Sequence, residues 1–302
     1  MKPATVNASS VSADRLRPIE GRHNALVKEL RRAFDHGELT QDGYCAIEGL
    51  RIVEEAIRSG LKFGAVFFSN SAGTKAERLL PQIGNRVDTL LLPDKLFAEV
   101  VPSETPQGVA ALVHPLVSTL EDLFRPAHNP SGGPHPPSFG ECGDNARSLP
   151  APLILGCAGL QDPGNFGTIL RSAEAFGATG VLATEGTVSA ANPKVARASA
   201  GSLFRLPVIK LTTAQALAAL AENGVHLAVT SSHKGRPVHE VDLTLPTAIF
   251  IGSEGLGVPR ALLDAADVAI LIPHSPKVES LNAAIAASIL LYEAQRQRSR
   301  EP

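Results

Sequence analysis

Three stretches in the second half of the chain hold residues suited to binding and activating a ligand. The first reads Gly159-Leu-Gln-Asp162-Pro163-Gly164-Asn165-Phe-Gly167-Thr-Ile-Leu-Arg171, turn chemistry running into a helix start. Asn165 suits a helix N-cap, so capping alone accounts for it. Arg171 falls one turn beyond Gly167, and helical side chains lean toward the N-terminus. Its guanidinium is therefore expected to reach back over a bare glycine toward the loop. The second stretch, Ile249-Phe-Ile-Gly252-Ser253-Glu254-Gly255-Leu-Gly257-Val-Pro259, runs a strand into three glycines, which let backbone approach a ligand closely. Glu254 can accept from a ligand or from a partner's loop. The GxxGxG spacing is not that of a dinucleotide fingerprint, and a turn ahead of a Pro at helix N1 is the structural alternative. The third stretch runs from Ile272-Pro-His274 to Glu279-Ser280-Leu281-Asn282 and into an Ala-rich helix. Ser280 suits an N-cap and Asn282 a first turn, whose free N–H groups would equally hold polar ligand edges. His274 reads as a loop residue.

The elements that must carry these loops show as apolar runs: Leu153 to Cys157, Gly180 to Ala183, Val208 to Leu211, His226 to Thr230, Ala248 to Gly252 and Val268 to Ile272. Continuous apolar runs separated by helix-like segments predict an α/β fold with a parallel sheet and helices on both faces. Ligands of such sheets sit beyond the carboxyl ends of the strands, here after Cys157, Thr230, Gly252 and Ile272. The long Leu281 to Arg296 helix closes the pattern, with Leu281, Ile285, Ile289 and Tyr292 near one face. A similar but weaker alternation over residues 19–115 predicts a smaller α/β domain. Between Pro126 and Pro150, 13 of 25 residues are Pro, Gly or Ser, so residues 116–150 are expected to be a linker. Residues 1–18 are expected to be a flexible arm and 151–298 the larger domain.

Composition narrows the function classes. Lys plus Arg number 28 against 30 for Asp plus Glu, so any polyanion site must be a local patch. The clear basic cluster is Arg15, Arg17, Arg22, Lys28, Arg31 and Arg32 against Glu20 and Glu29. It is either a solvated helix face or a phosphate-contacting patch, for which Arg22, Arg31 and Arg32 are the candidates. Aromatic residues make up only 4% with no Trp, which argues against a protein that stacks many bases on aromatic platforms. Cys45, Cys142 and Cys157 are scattered and odd in number, so neither a disulfide framework nor a metal site is expected. The absence of a signal-peptide core and of a membrane-length apolar stretch points to a cytoplasmic protein.

Taken in order as NxGxxxR, GSEGxG and IPxxxxxESLN, the three loops together resemble SpoU/TrmH-type RNA ribose 2'-O-methyltransferases of the SPOUT superfamily, over about residues 151–298. The likeness extends to Ile47-Glu48-Gly49-Leu50-Arg51-Ile-Val53-Glu54-Glu55-Ala56 and Pro106-Gln107-Gly108-Val109, which look like the RNA-binding domain, related to a ribosomal-protein fold, that many members carry. The resemblance implies a deep trefoil knot, S-adenosylmethionine bound within it, and a homodimer whose sites draw on both chains. Position by position it implies that Gly252, Ile272 and Leu281 contact the cofactor and that Gly255, Ser280 and Asn282 complete the pocket. Asn165 and Glu254 would help build the site, and Arg171 would activate the 2'-hydroxyl.

The chemistry asked of such a site is to hold an oxygen nucleophile in line with a methyl sulfonium at about 3 Å, work done by positioning and electrostatics without a metal. A guanidinium gives up its proton far too reluctantly for an arginine to serve as a general base, so Arg171 is better suited to stabilising the developing alkoxide. Ribosomal RNA is the leading substrate and transfer RNA the alternative. A non-catalytic RNA-binding assembly factor is the competing class, but it would have no need to retain Asn165, Arg171, Glu254, Ser280 and Asn282 together. A nucleotide-binding enzyme is disfavoured by the missing phosphate-loop lysine. Two features depart from the family: His274 stands where Met is common, and the 126–150 insertion is longer than usual.

Overall fold

The structure, a computed structural model, describes residues 15–103, 106–125, 151–231, 234–253 and 255–299. Residues 1–14 of the expected arm, the 126–150 insertion and Glu254 lie outside the described residues. Two compact units emerge, Met1–Val117 with Val188–Phe204, and Ser118–Thr187 with Arg205–Pro302.

In the first unit the chain runs β1 (Arg17–Pro18), α1 (Ala25–His36), β2 (Cys45–Glu48), α2 (Leu50–Arg58), β3 (Phe63–Ser69), α3 (Gly73–Leu79), β4 (Asp88–Leu92), α4 (Asp94–Val100) and β5 (Val109–Val113). The sheet order is β1-β4-β3-β5-β2. β1 and β3 run parallel to β4, whereas β5 is antiparallel to β3 and β2. α1 forms where Asn24 Oδ1 accepts from the Leu26 and Val27 N–H groups, and it ends at Gly37 in the left-handed conformation, φ 62°. Its Val27, Leu30 and Ala33 share one face and pack against Phe67, Leu92, Phe97 and Leu112 of the core.

The end of the expected arm is part of this sheet. Arg15 donates to the carbonyls of Leu80 (2.6 Å), Ile83 and Gly84 (both 3.1 Å), and β1 pairs with β4. Arg17 lies 3.5 Å from Asp88. These two cations of the basic cluster thus anchor the fold; their acceptors lie more than sixty residues away in sequence, beyond the reach of a local reading.

The second unit continues with β6 (Leu153–Ala158), α5 (Pro163–Ala175), β7 (Gly180–Ala183), α6 (Pro193–Ala198), β8 (Val208–Lys210), α7 (Thr213–Glu222), β9 (His226–Thr230), β10 (Arg236–Pro237), β11 (Thr247–Gly252), α8 (Arg260–Ala265), β12 (Val268–Leu271) and α9 (Ala283–Arg298). Of these, α6 packs within the first unit, as part of residues 188–204. The strands form one seven-stranded sheet, ordered β10-β12-β9-β11-β6-β7-β8, with every pairing parallel. This is the α/β parallel architecture expected from the apolar runs. β10, a two-residue edge strand containing Pro237, carried no such signal.

At the centre, β6 and β11 are buried along their whole length. Gly156 of β6 pairs with Phe250 of β11, and a Cβ at Gly156 would stand 2.4 Å from the Phe250 ring. From β6 the order steps outward through β7 and β8 on one side, while β9, β11 and β12 lie on the other. The reversal opens a crevice at the carboxyl ends of the strands.

Residues 118–125, expected in the linker, belong to this second core. Leu123 is fully buried against Ile154, Leu182 and Phe250, and its carbonyl accepts from Thr179 Oγ1 at 2.6 Å. Cys45 and Cys157 are both buried. Burial pushes the Cys45 thiol up to about 12 and raises that of Cys157 as well, so both stay protonated and unreactive at neutral pH.

The last turn of α9 closes the second unit: Arg298 donates to the carbonyls of Leu243, Ala151, Pro152 and Leu245. Arg298→Met keeps the stem and leaves these acceptors without their charged donor. It is expected to lower unfolding free energy by about 2 kcal/mol, read from urea denaturation. A loss below about 0.5 kcal/mol, the range of ordinary surface substitutions, would show that water replaces the guanidinium.

Candidate active site

A pocket of about 420 Å³ opens where β9, β11 and β12 end. Ile251, Ile270, Val258 and Leu281 give it apolar walls; Thr230, Ser231, Ser253, Glu279 and Ser280 supply polar groups. Its size and mix of surfaces suit a small organic ligand. Of the residues singled out in sequence, Gly252, Gly255, Ile272, Ser280 and Leu281 line it, and so does His274. The loop after Thr230 was among those expected at the ligand end, but no role was given to Thr230 or Ser231; one emerges only once β9 is known to adjoin β11 and β12.

The glycine loop after β11 is built by its own backbone. A Cβ on Gly252 would lie 1.9 Å from the Gly257 carbonyl carbon and 2.1 Å from its oxygen. The Gly257 N–H donates to the Ser253 carbonyl at 2.8 Å, closing the turn, and Gly257 has φ 67°. Gly252 is therefore bare because the loop folds back over it. Gly255 differs: a Cβ there would meet nothing within 4 Å, so its side-chain space is free beside the pocket.

Two caps differ from the sequence expectation. α5 is capped by Asp162, whose Oδ1 accepts from the Asn165 N–H at 2.6 Å, with Pro163 at the first helical position. Pro can occupy that position because its missing N–H would have no helical partner. Asn165 thus sits inside the first turn and its side chain is released from capping. Likewise Asn282, not Ser280, caps α9, accepting from the Ala284 and Ile285 N–H groups at 2.9 and 3.3 Å.

The two released or capping amides meet: Asn282 Nδ2 donates to Asn165 Oδ1 at 3.0 Å. Farther along the same pair of helices, Ser172 and Ser288 hydroxyls lie 2.7 Å apart. Arg171 is exposed on the stripe that includes Gly164 and Thr168, while Gly167 is buried. Among the described residues the Arg171 side chain makes no hydrogen bond or ion pair. It does not line the pocket; α5 is tied to the pocket's rim through Asn165 and Asn282.

His274 Nδ1 lies 2.7 Å from the Ile272 carbonyl oxygen, which can only accept, so Nδ1 carries the proton. Arg22, Arg31 and Arg32 belong to the first unit and are exposed; Arg31 lies 3.6 Å from Asp35. Among the described residues no group of three or more His, Cys, Asp or Glu is arranged to hold a metal.

Comparison with known proteins gives these features a context. Residues 152–292 match the SpoU rRNA Methylase family, and residues 24–111 match the MRM3-like substrate binding domain. An uncharacterized tRNA/rRNA methyltransferase of Synechocystis is 33% identical, with 99% of this chain and 97% of that protein covered. The 23S rRNA (guanosine(2553)-2'-O)-methyltransferase RlmP of Bacillus subtilis is 29% identical, covering 92% of this chain and 98% of that protein. The SpoU methyltransferase AviRb of Streptomyces viridochromogenes, solved in complex with AdoMet, is 26% identical with a TM-score of 0.70, covering 91% of this chain and 99% of that one.

Gly252 and Gly255 should part company on substitution. Gly252→Ala is expected to lower stability by about 1–3 kcal/mol, because its methyl must displace backbone. Gly255→Ala should stay within about 0.5 kcal/mol of the parent. Equal thermal shifts in the two variants would contradict the loop geometry.

Proposed function

The chain belongs to the SpoU rRNA methylase family, and we propose that it transfers a methyl group from S-adenosylmethionine to a ribose 2'-hydroxyl of ribosomal RNA. The observation that carries this reading is the Asn282–Asn165 hydrogen bond, which ties the rim of the strand-end pocket to the helix bearing an exposed Arg171. Binding site and activating cation thereby share one framework.

The pocket suits the cofactor in size and chemistry. Apolar walls from Ile251, Ile270 and Leu281 match a nucleobase face, while Ser280, Glu279 and Thr230 offer partners to polar edges. Gly252, Gly255, Ile272, Ser280 and Leu281 would hold it, with Asn282 fixing the loop that carries the last two. When bound, S-adenosylmethionine supplies an electrophilic methyl group on a sulfonium. Arg171 places a permanent positive charge where the ribose oxygen becomes more anionic, and stabilises that charge rather than removing the proton itself. Asn165 and Glu254 complete the site in this reading.

Two finer features belong to the same proposal. The segment from β12 through α9 would be threaded as a trefoil knot; supporting this, α9 leaves the β12 side of the sheet yet packs on α5, which follows β6. The working form would be a homodimer through the second unit, since Ile285, Ile289 and Tyr292 on α9 are 54%, 37% and 55% exposed along one stripe. Arg22, Arg31 and Arg32 would contact RNA phosphates. No described helix is long and apolar enough to cross a membrane, and we place the enzyme's work in the cytoplasm.

Mapping 2'-O-methyl sites in total RNA from cells with and without the gene tests the substrate directly. A missing methyl in ribosomal RNA supports the reading, and one missing only in transfer RNA replaces the substrate.

Arg171→Ala is expected to cut methyl transfer by at least about 100-fold while S-adenosylhomocysteine affinity, measured by calorimetry, stays within a few fold. Arg171→Lys should rescue only partly, because an ammonium lacks the planar fork. Loss of cofactor affinity in step with activity would move Arg171 from the reaction to the binding of the cofactor. Gly255→Val, whose side chain enters the free space beside the pocket, should instead raise the S-adenosylhomocysteine dissociation constant.

A further inference from the structure

A second cavity, of about 230 Å³, lies wholly within the first unit, walled by the C-terminal end of α1, by Glu48 and by α6. Glu48 belongs to one of the two first-half motifs noted in the sequence. It is mostly buried, accepts from the Gln107 N–H of the other motif at 3.1 Å, and faces Arg197 at 3.8 Å. Glu48 thus ties the two motifs together at the cavity's wall, which it alone of them lines.

The cavity's chemistry is that of nucleotide recognition. Asn192 uses its Oδ1 to cap α6, accepting from the Lys194 N–H at 2.9 Å, while among the described residues its NH2 group has no hydrogen-bond partner. That amide packs over Gly37, 3.0 Å from where a Cβ would be, so the left-handed glycine ending α1 is what lets it approach. Phe34, whose side chain packs partly on the first core, also lines this space. The carboxylates of Asp35 and Glu48 are each paired with an arginine, Arg31 and Arg197. The exposed Lys194 at the mouth is left without such a partner among the described residues. Lys28, Arg32 and His36 follow one another at four-residue spacing along the exposed face of α1, and His36 lines the cavity. A basic track thus leads to a small polar hollow with one aromatic wall.

We propose that this cavity receives a single unpaired nucleotide of the RNA substrate, an inference that rests on the methyltransferase reading. The volume falls below that of drug-sized ligand pockets, which suits one base and not two. Proteins read RNA sequence chiefly at unpaired bases, stacked on an aromatic ring and hydrogen-bonded at their edges. Here Phe34 is the stacking surface, the Asn192 NH2 donates to a base carbonyl, and Lys194 takes the adjoining phosphate. Residues 188–204, though inside the stretch that matches the methylase family, thereby serve substrate selection.

The test uses the full-length protein, an unmodified ribosomal RNA transcript as probe, and two variants that spare the fold. Asn192→Asp keeps the capping oxygen and removes the donor. Lys194→Glu reverses a charge whose side chain is exposed. Each is expected to raise the dissociation constant for the transcript about tenfold, and Lys194→Glu also to reduce the salt slope of binding by at least about one. S-adenosylhomocysteine affinity should be unchanged in both. If the parent methylates the transcript and both variants hold it as tightly as the parent, the nucleotide site is wrong while the methyltransferase reading stands. Loss of cofactor and RNA binding together would assign the effect to folding and overturn the site. A parent that binds cofactor yet methylates neither ribosomal nor transfer RNA would overturn both.

Discussion

Asn282 uses both ends of its side-chain amide at once. Its oxygen accepts from two N–H groups that open α9, and its nitrogen donates to Asn165 in the first turn of α5. Helix N-termini present N–H groups without internal partners, so a capping acceptor is needed there in any case. An amide supplies that acceptor and a donor besides, which a serine in the same place could not direct so far. The consequence is geometric: the loop after β12 and the loop after β6, separated in the sheet by β9 and β11, are held in one register. The Ser172–Ser288 contact farther along the same helices repeats the constraint.

Tight approach of backbone to backbone and ring to backbone sets the remaining tolerances. Gly156 allows the Phe250 ring to lie flat across the middle of the parallel sheet, and Gly252 allows its own loop to fold over it. Interiors packed this closely do not deform gradually, so the pocket inherits the rigidity of the strands beneath it. Gly255, whose surroundings are open, is exempt from that rule, and the difference between neighbouring glycines is invisible in composition.

Much of the fold was legible in the sequence because the signal is local. An apolar run such as Gly180 to Ala183 is a strand at that very position, since burial on both faces demands unbroken apolarity. Caps were misassigned by a few residues, Asn165 for Asp162 and Ser280 for Asn282, because several polar residues in each loop could serve and only backbone geometry chooses. Arg15 was read as a free cation although it binds three carbonyls, and Leu123 was counted with a linker although it fills the second core. Both depend on partners distant in sequence. Of the site, the glycine loop, Ile272, Ser280 and Leu281 were visible as a pattern and the end of β9 at Thr230 as a ligand-end loop, whereas the part of Thr230 and Ser231 in the pocket depended on strand order.

The excursion of residues 188–204 into the first unit bears on how such proteins can be recombined. Cutting the chain between its two sequence-defined halves would leave Asn192 and Arg197 behind while carrying away Gly37 and Glu48, the residues they pack against or face. A chimera intended to inherit another protein's specificity would have to transplant this internal segment together with the N-terminal half. The natural unit of exchange is therefore discontinuous, and a crossover that respects only the linear boundary would separate residues that pack as one body.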